Sequence, residues 1–352
     1  MRRISLIVVL LATTILTARA QEVKSIIYLI GDGMGLSSVS MMQVESGYEP
    51  TIFDSAENIA LQKTYSMDNR VTDSAASGTA LSSGCKTNNT YLGVTAEGAM
   101  LENLMEVAHG EGKRTGLVVT TYIQHATPAA FYAHIPARHE YLAISEQLLQ
   151  SNIDVAIGGG MAFFKERYGD DVEGAIAKSG FQLATSLDEV GKAKGKKPLL
   201  ALLADYEVGS NSGSYLADAT SEALRLLEGD KDGFVLMVEG SLIDGMGHGN
   251  DAKAQQVEMK GFMETIEVAV AYAESHPGTL VVVTSDHSTG GLSIVSADAD
   301  FTLSEQGVDY RWTTTGHSGE MIPIYLYGAG AETINGIMEN ADLGAKLKEL
   351  IR

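Results

Sequence analysis

The chain has a single cysteine, Cys85, in 352 residues. An intramolecular disulfide is therefore excluded, even in an oxidising compartment where disulfides commonly stabilise proteins. Stability must come instead from the hydrophobic core and from any bound ions. We interpret Cys85 as a small, partly buried residue and not as a catalytic thiol.

Positive charge is also scarce. The chain has 25 lysines and arginines against 45 aspartates and glutamates, and its formal net charge is −20. An acidic surface of this kind repels nucleic acid and anionic membranes, so neither is expected as a partner. It would also repel an anionic substrate at long range, so chemistry on phosphate would need a locally positive centre.

Long apolar stretches are missing beyond the N-terminus, where residues 4–16 form an apolar run. That run is shorter than the roughly 20 residues that span a bilayer. Two arginines precede it, and residues 18–20, Ala-Arg-Ala, resemble a cleavage site. We predict a signal peptide over residues 1–20, no membrane anchor, and an exported protein that is periplasmic or secreted. Cleavage would leave 332 residues, 21–352, and change the net charge from −20 to −23.

What the sequence does contain is four apolar runs, each followed by a residue able to bind metal. The runs at residues 26–30, 117–119, 234–238 and 280–283 lead to Asp32, His125, Glu239 and the pair Asp286-His287, respectively. Continuous runs of this length are typical of strands buried on both faces, as in parallel sheets. Ligands of open α/β sheets bind beyond the carboxyl ends of such strands. The runs therefore predict a polynuclear metal site at one edge of a sheet.

Strand-like and helical patterns alternate along the whole chain. Strands are predicted near residues 26–31, 115–121, 153–157, 199–203, 233–239, 279–284 and 322–327, and helices over 100–108, 141–149, 216–227, 254–274 and 343–351. Such alternation is typical of a layered α/β/α domain with a central, largely parallel sheet. Because no composition shift marks a second domain, we predict that residues 21–352 form a single domain.

Residues 72–80, Thr-Asp-Ser-Ala-Ala-Ser-Gly-Thr-Ala, are small and suit a helix start packed closely against a neighbour. Asp73-Ser74 reads as the capped beginning of that helix, and helix N-termini bind anions. Ser74 is therefore a candidate nucleophile, because the helix end would stabilise its phosphoryl adduct. The alternative is that the segment is only a helix cap.

Residues 239–248 present two acids and an imidazole within one short segment. Asp244 and His248 are four residues apart, so one helical turn would direct both toward a single ion. The Asp-His pair at 286–287 adds an acid and an imidazole at a strand end, and His317 precedes another predicted strand. Each histidine by itself could equally be a hydrogen-bonded structural residue.

Six motifs, taken together and in order, resemble those of the alkaline phosphatases. They are GDGMG at 31–35, TDSAASGTA at 72–80, QHATPAAFYAH at 124–134, EGSLIDGMGH at 239–248, TSDHSTGG at 284–291 and GHSG at 316–319. The resemblance runs from about residue 26 to residue 328. It implies an exported hydrolase of small phosphate monoesters that is active at alkaline pH and forms a homodimer.

The resemblance also implies a role for each matching residue. The first zinc ion would be held by Asp244, His248 and His317, the second by Asp32, Asp286, His287 and Ser74, and a third ion, magnesium, by Asp32, Thr127 and Glu239, with His125 nearby. Ser74 would be the nucleophile that forms a covalent phosphoserine, and Arg138 would clamp the phosphoryl oxygens. Imidazole-rich sites suit zinc, whereas oxygen donors suit magnesium. Two zinc ions roughly 4 Å apart can stabilise the attacking and leaving oxygens of an in-line displacement.

Two positions qualify the resemblance. Family members commonly have Asp or His at the position of His125, and its imidazole would allow zinc instead of magnesium in the third site. They often have Lys, His or Trp at the position of Gly245, which has no side chain to reach a phosphate. Any contact made there in relatives must come from elsewhere in this chain or be missing.

Two alternatives remain open. The first keeps the scaffold and changes the substrate, as in a phosphodiesterase, phosphomutase or sulfatase of the wider superfamily. A sulfatase is disfavoured because Cys85 begins CKTNN and not the CxPxR pattern, and a mutase by export and by Arg138. The second is a non-catalytic metal- or phosphate-binding protein, although none of the six motifs is degraded.

Overall fold

The apolar runs form the centre of a ten-stranded sheet. The computed structural model describes residues 22–209, 214–229, 231–297 and 307–352, and the predicted signal peptide lies outside these ranges. The strands are β1 (Ser25–Gly31), β2 (Asn58–Lys63), β3 (Arg114–Tyr122), β4 (Val155–Gly159), β5 (Gln182–Ala184), β6 (Leu199–Leu202), β7 (Phe234–Gly240), β8 (Thr279–Thr284), β9 (Ser288–Thr289), β10 (Leu292–Ser296), β11 (Val308–Trp312), β12 (His317–Ser318), β13 (Ile322–Gly328) and β14 (Gly336–Glu339).

Helices connect most of these strands. They are α1 (Leu36–Glu45), α2 (Ser74–Ser83), α3 (Leu104–Gly110), α4 (Ala126–Ala129), α5 (Tyr141–Gln150), α6 (Met161–Tyr168), α7 (Val172–Lys178), α8 (Leu187–Lys192), α9 (Tyr215–Leu227), α10 (Leu242–His248), α11 (Ala252–Ser275) and α12 (Asn340–Leu350). Short 3₁₀ turns lie at Ile52–Ser55, Gly169–Asp171 and Ala331–Thr333. Among the described helices, none has both the length and the apolar composition needed to cross a bilayer.

The strand order is β14-β2-β13-β8-β1-β7-β3-β4-β6-β5. Only β13 is antiparallel to its two neighbours, β8 and β2, among the sheet pairs that the described residues form. The other neighbouring pairs are parallel. The predicted α/β fold with a largely parallel central sheet is confirmed. Two small antiparallel pairs, β10 with β11 and β9 with β12, lie outside the main sheet.

Helices cover both faces of the sheet because successive side chains of a buried strand point to opposite sides. In β1, Tyr28 and Ile30 belong to an apolar cluster that includes side chains of α2, α3, α5 and α12. Ile27 and Leu29 belong to a second cluster that includes side chains of α1, α9 and α11. The arrangement is therefore three layers, with the fully buried strands in the middle.

Each predicted strand and helix has a counterpart, but some boundaries differ. The helix predicted from residue 100 begins at Leu104, because the Asn103 side chain accepts hydrogen bonds from the first turn and the Glu106 carboxylate accepts one from the Asn103 backbone amide. Strands β2, β5, β9, β10, β11, β12 and β14 and helices α1, α4, α6, α7 and α8 were not predicted. The expectation that Cys85 is partly buried is wrong, since this residue is exposed.

Candidate metal and catalytic site

The carboxyl ends of β8, β1, β7 and β3 lie side by side at one edge of the sheet. Ile30 near the end of β1 is in register with Glu239 of β7 on one side and with Thr284 of β8 on the other. Asp32 follows β1, and Asp286 follows β8. Because parallel strands end at the same edge, these acids lie in one crevice, which is the usual ligand position of such sheets.

Helix α10 follows β7 and brings Asp244 and His248 to the same crevice. Gly33, which follows Asp32, allows α10 to approach closely. Its φ is +76°, and a Cβ there would lie 2.7 Å from the Asp244 Cα. Glycine is required at this point, because a side chain would be strained by the backbone angle and blocked by the helix.

The structure brings Asp244, His248 and His317 together. Nε2 of His248 lies 3.2 Å from Asp244 Oδ2, and Nε2 of His317 lies 3.7 Å from Asp244 Oδ1. The Nδ1 atoms face backbone carbonyls, at 2.5 Å from Thr315 O and 2.8 Å from Thr72 O. Since a carbonyl can only accept, each ring carries a hydrogen on Nδ1, which leaves Nε2 as the atom that would bind an ion. Without an ion, the hydrogen bond to Asp244 raises the pKa of His248 to about 9, so its Nε2 also carries a hydrogen and donates to that acid. Imidazoles that bind metals are commonly held in this way.

His287 is central to a second group. Its Nε2 lies 3.2 Å from Ser74 Oγ, 3.2 Å from Asp286 Oδ2 and 3.5 Å from Asp32 Oδ1. Donor atoms of Asp32, Asp286 and His287 lie within 4.8 Å of one another. His287 also borders the first group, because its ring stacks on that of His317 with centroids 3.5 Å apart.

Thr289 connects the two groups. Its hydroxyl donates to Asp244 Oδ1 at 2.5 Å and lies 3.2 Å from His287 Nδ1. Because the hydroxyl hydrogen is used on the carboxylate, its lone pair is free to accept from His287 Nδ1. One side chain thereby orients an acid of the first group and an imidazole of the second.

Ser74 is the first residue of α2. Asp73 is the N-cap residue and accepts from the Ala76 amide at 3.0 Å. The other oxygen of Asp73 accepts from Arg138 Nη1 at 2.9 Å and from the Thr90 amide at 3.0 Å. Asp73 therefore both caps the helix that carries the serine and holds the guanidinium of Arg138 beside that helix end.

Residues of the predicted third site also lie together. Donor atoms of Asp32, His125 and Glu239 are within 4.8 Å of one another. Thr127 follows in α4, and its hydroxyl is buried without a well-formed hydrogen bond among the described residues. Burial and the neighbouring charge of Arg138 lower the pKa of His125 to about 4. The ring is therefore neutral at neutral pH, as a metal ligand must be.

Several oxygens of the buried acids at the site lack well-formed hydrogen bonds. Within the described part of the chain, both oxygens of Asp32 and of Glu239 and one oxygen of Asp286 are buried without a well-formed hydrogen bond. Burial, reinforced by the nearby acids, raises the pKa of Asp32 well above its ordinary value. Burial also raises the pKa of Glu239 to about 8, with Asp286 and Asp244 adding to the shift.

A cation bound among these oxygens would remove the penalty of burying them, because buried charges are normally paired or bound to metal. The donor atoms thus fit divalent ions, with imidazole and carboxylate donors in two groups and mainly oxygens in the third.

All the predicted site residues lie in or beside this crevice, although the roles assigned to them stay predictions. Gly245 is exposed on α10, with open space where a side chain would be. Sequence reasoning missed Thr289, the contact of Asp73 with Arg138, and the two carbonyls that orient His248 and His317. Only Thr289 had a usable signal, since it lies two positions after His287 on an extended segment and so points to the same side.

Comparisons with known proteins give the same picture. The family model for alkaline phosphatase matches residues 23–306. The chain is 32% identical to alkaline phosphatase 3 of Bacillus subtilis, over 92% of this chain and 87% of that protein. It is 30% identical to the alkaline phosphatase of Escherichia coli, over 92% and 85% of the two chains.

Solved structures agree. The alkaline phosphatase from the Antarctic bacterium TAB5 is 34% identical to this chain and matches its structure with a TM-score of 0.88. The match covers 95% of this chain and 99% of that one. A variant of that enzyme was solved with Mg bound in its M3 site. The chain belongs to the alkaline phosphatase family, whose named members are phosphoric monoester hydrolases.

Proposed function

We propose that the protein is an exported alkaline phosphatase that hydrolyses small phosphate monoesters through a covalent phosphoserine on Ser74. The observation that carries the proposal is the position of Ser74 Oγ at the start of α2, 3.2 Å from His287 Nε2. The same Nε2 contacts Asp286 Oδ2 and Asp32 Oδ1, two buried oxygens without a well-formed hydrogen bond. Asp73 already accepts the capping hydrogen bond of α2, so the helix does not need the Ser74 hydroxyl for that purpose. This favours a nucleophile over a simple helix cap.

The donor groups support three bound ions. We assign one zinc to Asp244, His248 and His317, a second to Asp32, Asp286, His287 and Ser74, and magnesium to Asp32, Thr127 and Glu239. Bound ions would supply positive charge that favours the ionised Ser74 hydroxyl and offsets the charge on the phosphoryl oxygens. The imidazole of His125 beside the third group makes zinc the alternative to magnesium there.

The residues of the chain itself would orient the substrate. Backbone N–H groups in the first turn of α2 point outward at the serine, where they favour an anion. Arg138 adds a guanidinium whose five N–H donors exceed those used by Asp73 and His125. A planar, always charged donor matches two oxygens of one phosphoryl group better than an ammonium would.

The reaction would proceed in two displacements at phosphorus. In the first, a bond forms between Ser74 Oγ and phosphorus while the bond from phosphorus to the ester oxygen breaks. The serine proton is lost to solvent, and the departing alkoxide is protonated to the free alcohol. In the second, a water oxygen bonds to phosphorus as the Oγ–phosphorus bond breaks, which releases phosphate and restores the Ser74 hydroxyl.

Rates of p-nitrophenyl phosphate hydrolysis in zinc and magnesium test this proposal. Wild type should turn over the monoester, and Ser74→Ala should lose on the order of a thousandfold or more of kcat, as nucleophile removal does in other hydrolases. Ser40→Ala is the matched control, because Ser40 lies half-buried on α1, and among the described residues its hydroxyl donates to Leu36 O at 3.0 Å within that helix. It should retain wild-type rates. Acid quenching in excess inorganic phosphate should leave a phosphorylated peptide in wild type that Ser74→Ala lacks.

The same assay separates the alternatives. Faster hydrolysis of bis-p-nitrophenyl phosphate than of the monoester would favour a phosphodiesterase on this scaffold. No hydrolysis of either ester by metal-loaded protein would favour a non-catalytic phosphate- or metal-binding protein. Equal rates for Ser74→Ala and Ser40→Ala would remove Ser74 from the mechanism.

Export and a homodimer are part of the proposal. Export rests on the apolar run at residues 4–16 and the cleavage pattern at 18–20, and the dimer rests on the family resemblance. The mature protein, proposed as one catalytic domain, should begin at residue 21 when recovered outside the cell. Light scattering should give the mass of two chains. Protein recovered with residues 1–20 attached, or a single-chain mass, would contradict these points.

A further inference from the structure

Buried side chains hold the loop that follows β8 by its backbone carbonyls. Ser285 O accepts from Gln62 Nε2 at 2.8 Å, and Asp286 O accepts from Ser77 Oγ at 2.7 Å. His287 O accepts from Ser285 Oγ at 2.6 Å. Each carbonyl of the segment that presents Asp286 and His287 to the site is therefore fixed by a side-chain donor.

Ser77 makes the hydrogen bond that holds the loop after β8 at a fixed distance from the proposed nucleophile, Ser74. It lies three residues after Ser74 on α2, so both hydroxyls are on the same face of the helix. Ser74 Oγ faces the His287 ring, and Ser77 Oγ donates to Asp286 O. Together the two contacts define the distance between the serine and the strand-end loop.

Ser77 is in turn held by Asn340, the first residue of α12. Asn340 Nδ2 donates to Ser77 Oγ at 3.0 Å, and both residues are fully buried. On its other side, Asn340 Oδ1 accepts from Lys86 Nζ at 2.8 Å. Lys86 also forms an ion pair with Glu339 at 3.3 Å. Asn340 is thus anchored at one end and donates to Ser77 at the other.

The hydrogen bond that Asn340 donates to Ser77 matters because the hydroxyl of a serine within a helix has a second possible acceptor. Its hydroxyl can rotate and donate to the carbonyl four residues earlier, which for Ser77 is that of Asp73. With Asn340 Nδ2 occupying one lone pair of Oγ, the orientation that directs the hydroxyl hydrogen to Asp286 O is favoured. The packing of α12 is tight, since a Cβ on Gly344 would lie 2.4 Å from Ala80 O. Asn340 therefore has little freedom to move away from Ser77.

We propose that Asn340 is a positioning residue that, through Ser77, holds the Asp286-His287 loop at its working distance from Ser74. The inference rests on the proposed function, because it assigns Asn340 to the same metal-dependent serine site. It adds a residue from the C-terminal helix, beyond the part of the chain that the family model matches. It also explains why an amide is buried at the start of α12.

Asn340→Asp is the most informative variant. The carboxylate keeps an acceptor for Lys86, so α12 retains its anchor. It cannot donate to Ser77, and it offers the Ser77 hydroxyl a new acceptor that competes with Asp286 O. Asn340→Ala is the second variant, which removes the donor without adding charge and decides the question if the aspartate variant does not fold.

The matched control is Asn58→Asp. Asn58 Nδ2 donates to two carbonyls, Ala331 O at 3.2 Å and Ile334 O at 2.8 Å, and so holds that segment to β2 instead of to α2. This substitution also removes amide donors and adds a charge. A purely structural effect should therefore appear in both variants.

Three measurements are needed. For Asn340→Asp we expect kcat to fall and zinc loss to a chelator to quicken by roughly 10- to 100-fold each, with KM little changed, as for other residues that orient metal ligands. In metal-free protein, hydrogen exchange of a peptide spanning 284–291 should be faster than in wild type. Asn58→Asp should change the urea midpoint without changing kcat, zinc retention or exchange at 284–291.

A double-mutant cycle tests the path through Ser77. If Asn340 acts through that hydroxyl, Ser77→Ala combined with Asn340→Asp should be no worse than Ser77→Ala alone. Independent, multiplying losses would overturn the inference, as would wild-type kcat, zinc retention and exchange in both Asn340 variants. A wild-type protein that hydrolyses no phosphate ester would contradict the proposed function instead, and the exchange measurement would still decide the role of Asn340.

Discussion

Replacing Thr289 by valine should loosen both predicted zinc sites at once. The hydroxyl donates to Asp244 Oδ1 at 2.5 Å and lies 3.2 Å from His287 Nδ1, so it orients one ligand of each site. Valine has nearly the same shape as threonine but neither donates nor accepts. Without the hydroxyl, the Asp244 carboxylate can rotate, and the His287 ring loses the partner that fixes its hydrogen on Nδ1.

The expected size follows from the strength of such a bond. A hydrogen bond to a charged group contributes about 1.5–3 kcal/mol. Since about 1.4 kcal/mol is a factor of ten in an equilibrium constant, zinc should bind roughly 10- to 100-fold more weakly. Loss of partners that orient metal ligands in other proteins has effects of about the same range.

The assay is a chelator titration that reports zinc affinity, with kcat for p-nitrophenyl phosphate measured in excess zinc. Thr289→Ser retains the hydroxyl and should keep affinity close to that of wild type. Thr265→Val is the control, because Thr265 is buried in α11 and donates to Gly261 O at 2.8 Å, within that helix. It should alter stability but not zinc affinity. Wild-type zinc affinity in Thr289→Val, or equal losses in Thr289→Val and Thr265→Val, would refute the reasoning.

Three further substitutions test other parts of the structure. The hydrogen bond with Glu106 raises the pKa of His134 above 6.5, so its stabilisation is fully present below that value and is lost as the pH rises through the folded-state pKa. His134→Gln should therefore destabilise metal-free protein more near about pH 6 than near about pH 9, as measured by urea unfolding. Gly344→Ala forces a Cβ against Ala80 O and should lower the free energy of unfolding by about 1–3 kcal/mol, despite a helix-propensity gain of about 1 kcal/mol. Asp32→Asn removes a carboxylate shared by two predicted ion sites, and elemental analysis should find at least one ion fewer per chain.

For each of these three substitutions, a specific result would contradict the prediction. A His134→Gln penalty that grows with pH would mean that the imidazolium does not stabilise the fold. A Gly344→Ala protein as stable as wild type would mean that α12 can move from α2 without loss. Unchanged metal content in Asp32→Asn would show that this carboxylate is not a shared ligand.

The sequence predicted the strands that are buried on both faces, because a continuous apolar run has few other stable environments. It did not predict β2 or β14, whose residues are mixed in character. In β2, Asn58–Lys63, only two of the six residues are fully buried. The antiparallel direction of β13 also escaped prediction, since its apolar run is compatible with either direction and only the pairing with β2 and β8 decides it.

The first residues of helices were also predicted inaccurately from the sequence. The helix ending the chain was predicted from residue 343 and begins at Asn340, after Glu339. Glu339 and Asp342 exchange the two hydrogen bonds of a capping box, a signal only four residues long that periodicity does not detect. The same kind of capping box makes α3 begin at Leu104, four residues later than predicted. Apolar spacing thus located helices, whereas short polar contacts fixed their ends.

At the site, side chains with metal-binding chemistry could be identified because they stand directly after buried strands. Their supports could not be identified so easily. Thr72 and Thr315 contribute backbone carbonyls, which every residue has, and Asn340 reaches the site only through Ser77. Such contacts depend on which segments the fold brings together, and the spacing of residues in one sequence does not contain that information.

Charge balance explains why the proposed ions and the proposed substrate cannot be treated separately. Four acids meet at the crevice, Asp32, Glu239, Asp244 and Asp286, while Arg138 is already paired with Asp73. Without ions, the cationic groups of the crevice are each held by an acid, so nothing there offsets the long-range repulsion of a phosphate anion by the acidic chain. Two divalent ions would only neutralise the four carboxylates, whereas three would leave the centre positive. The burial of acids, which destabilises the ion-free protein, is thus what creates affinity for the cations, and the third cation is what would make the centre attractive to phosphate.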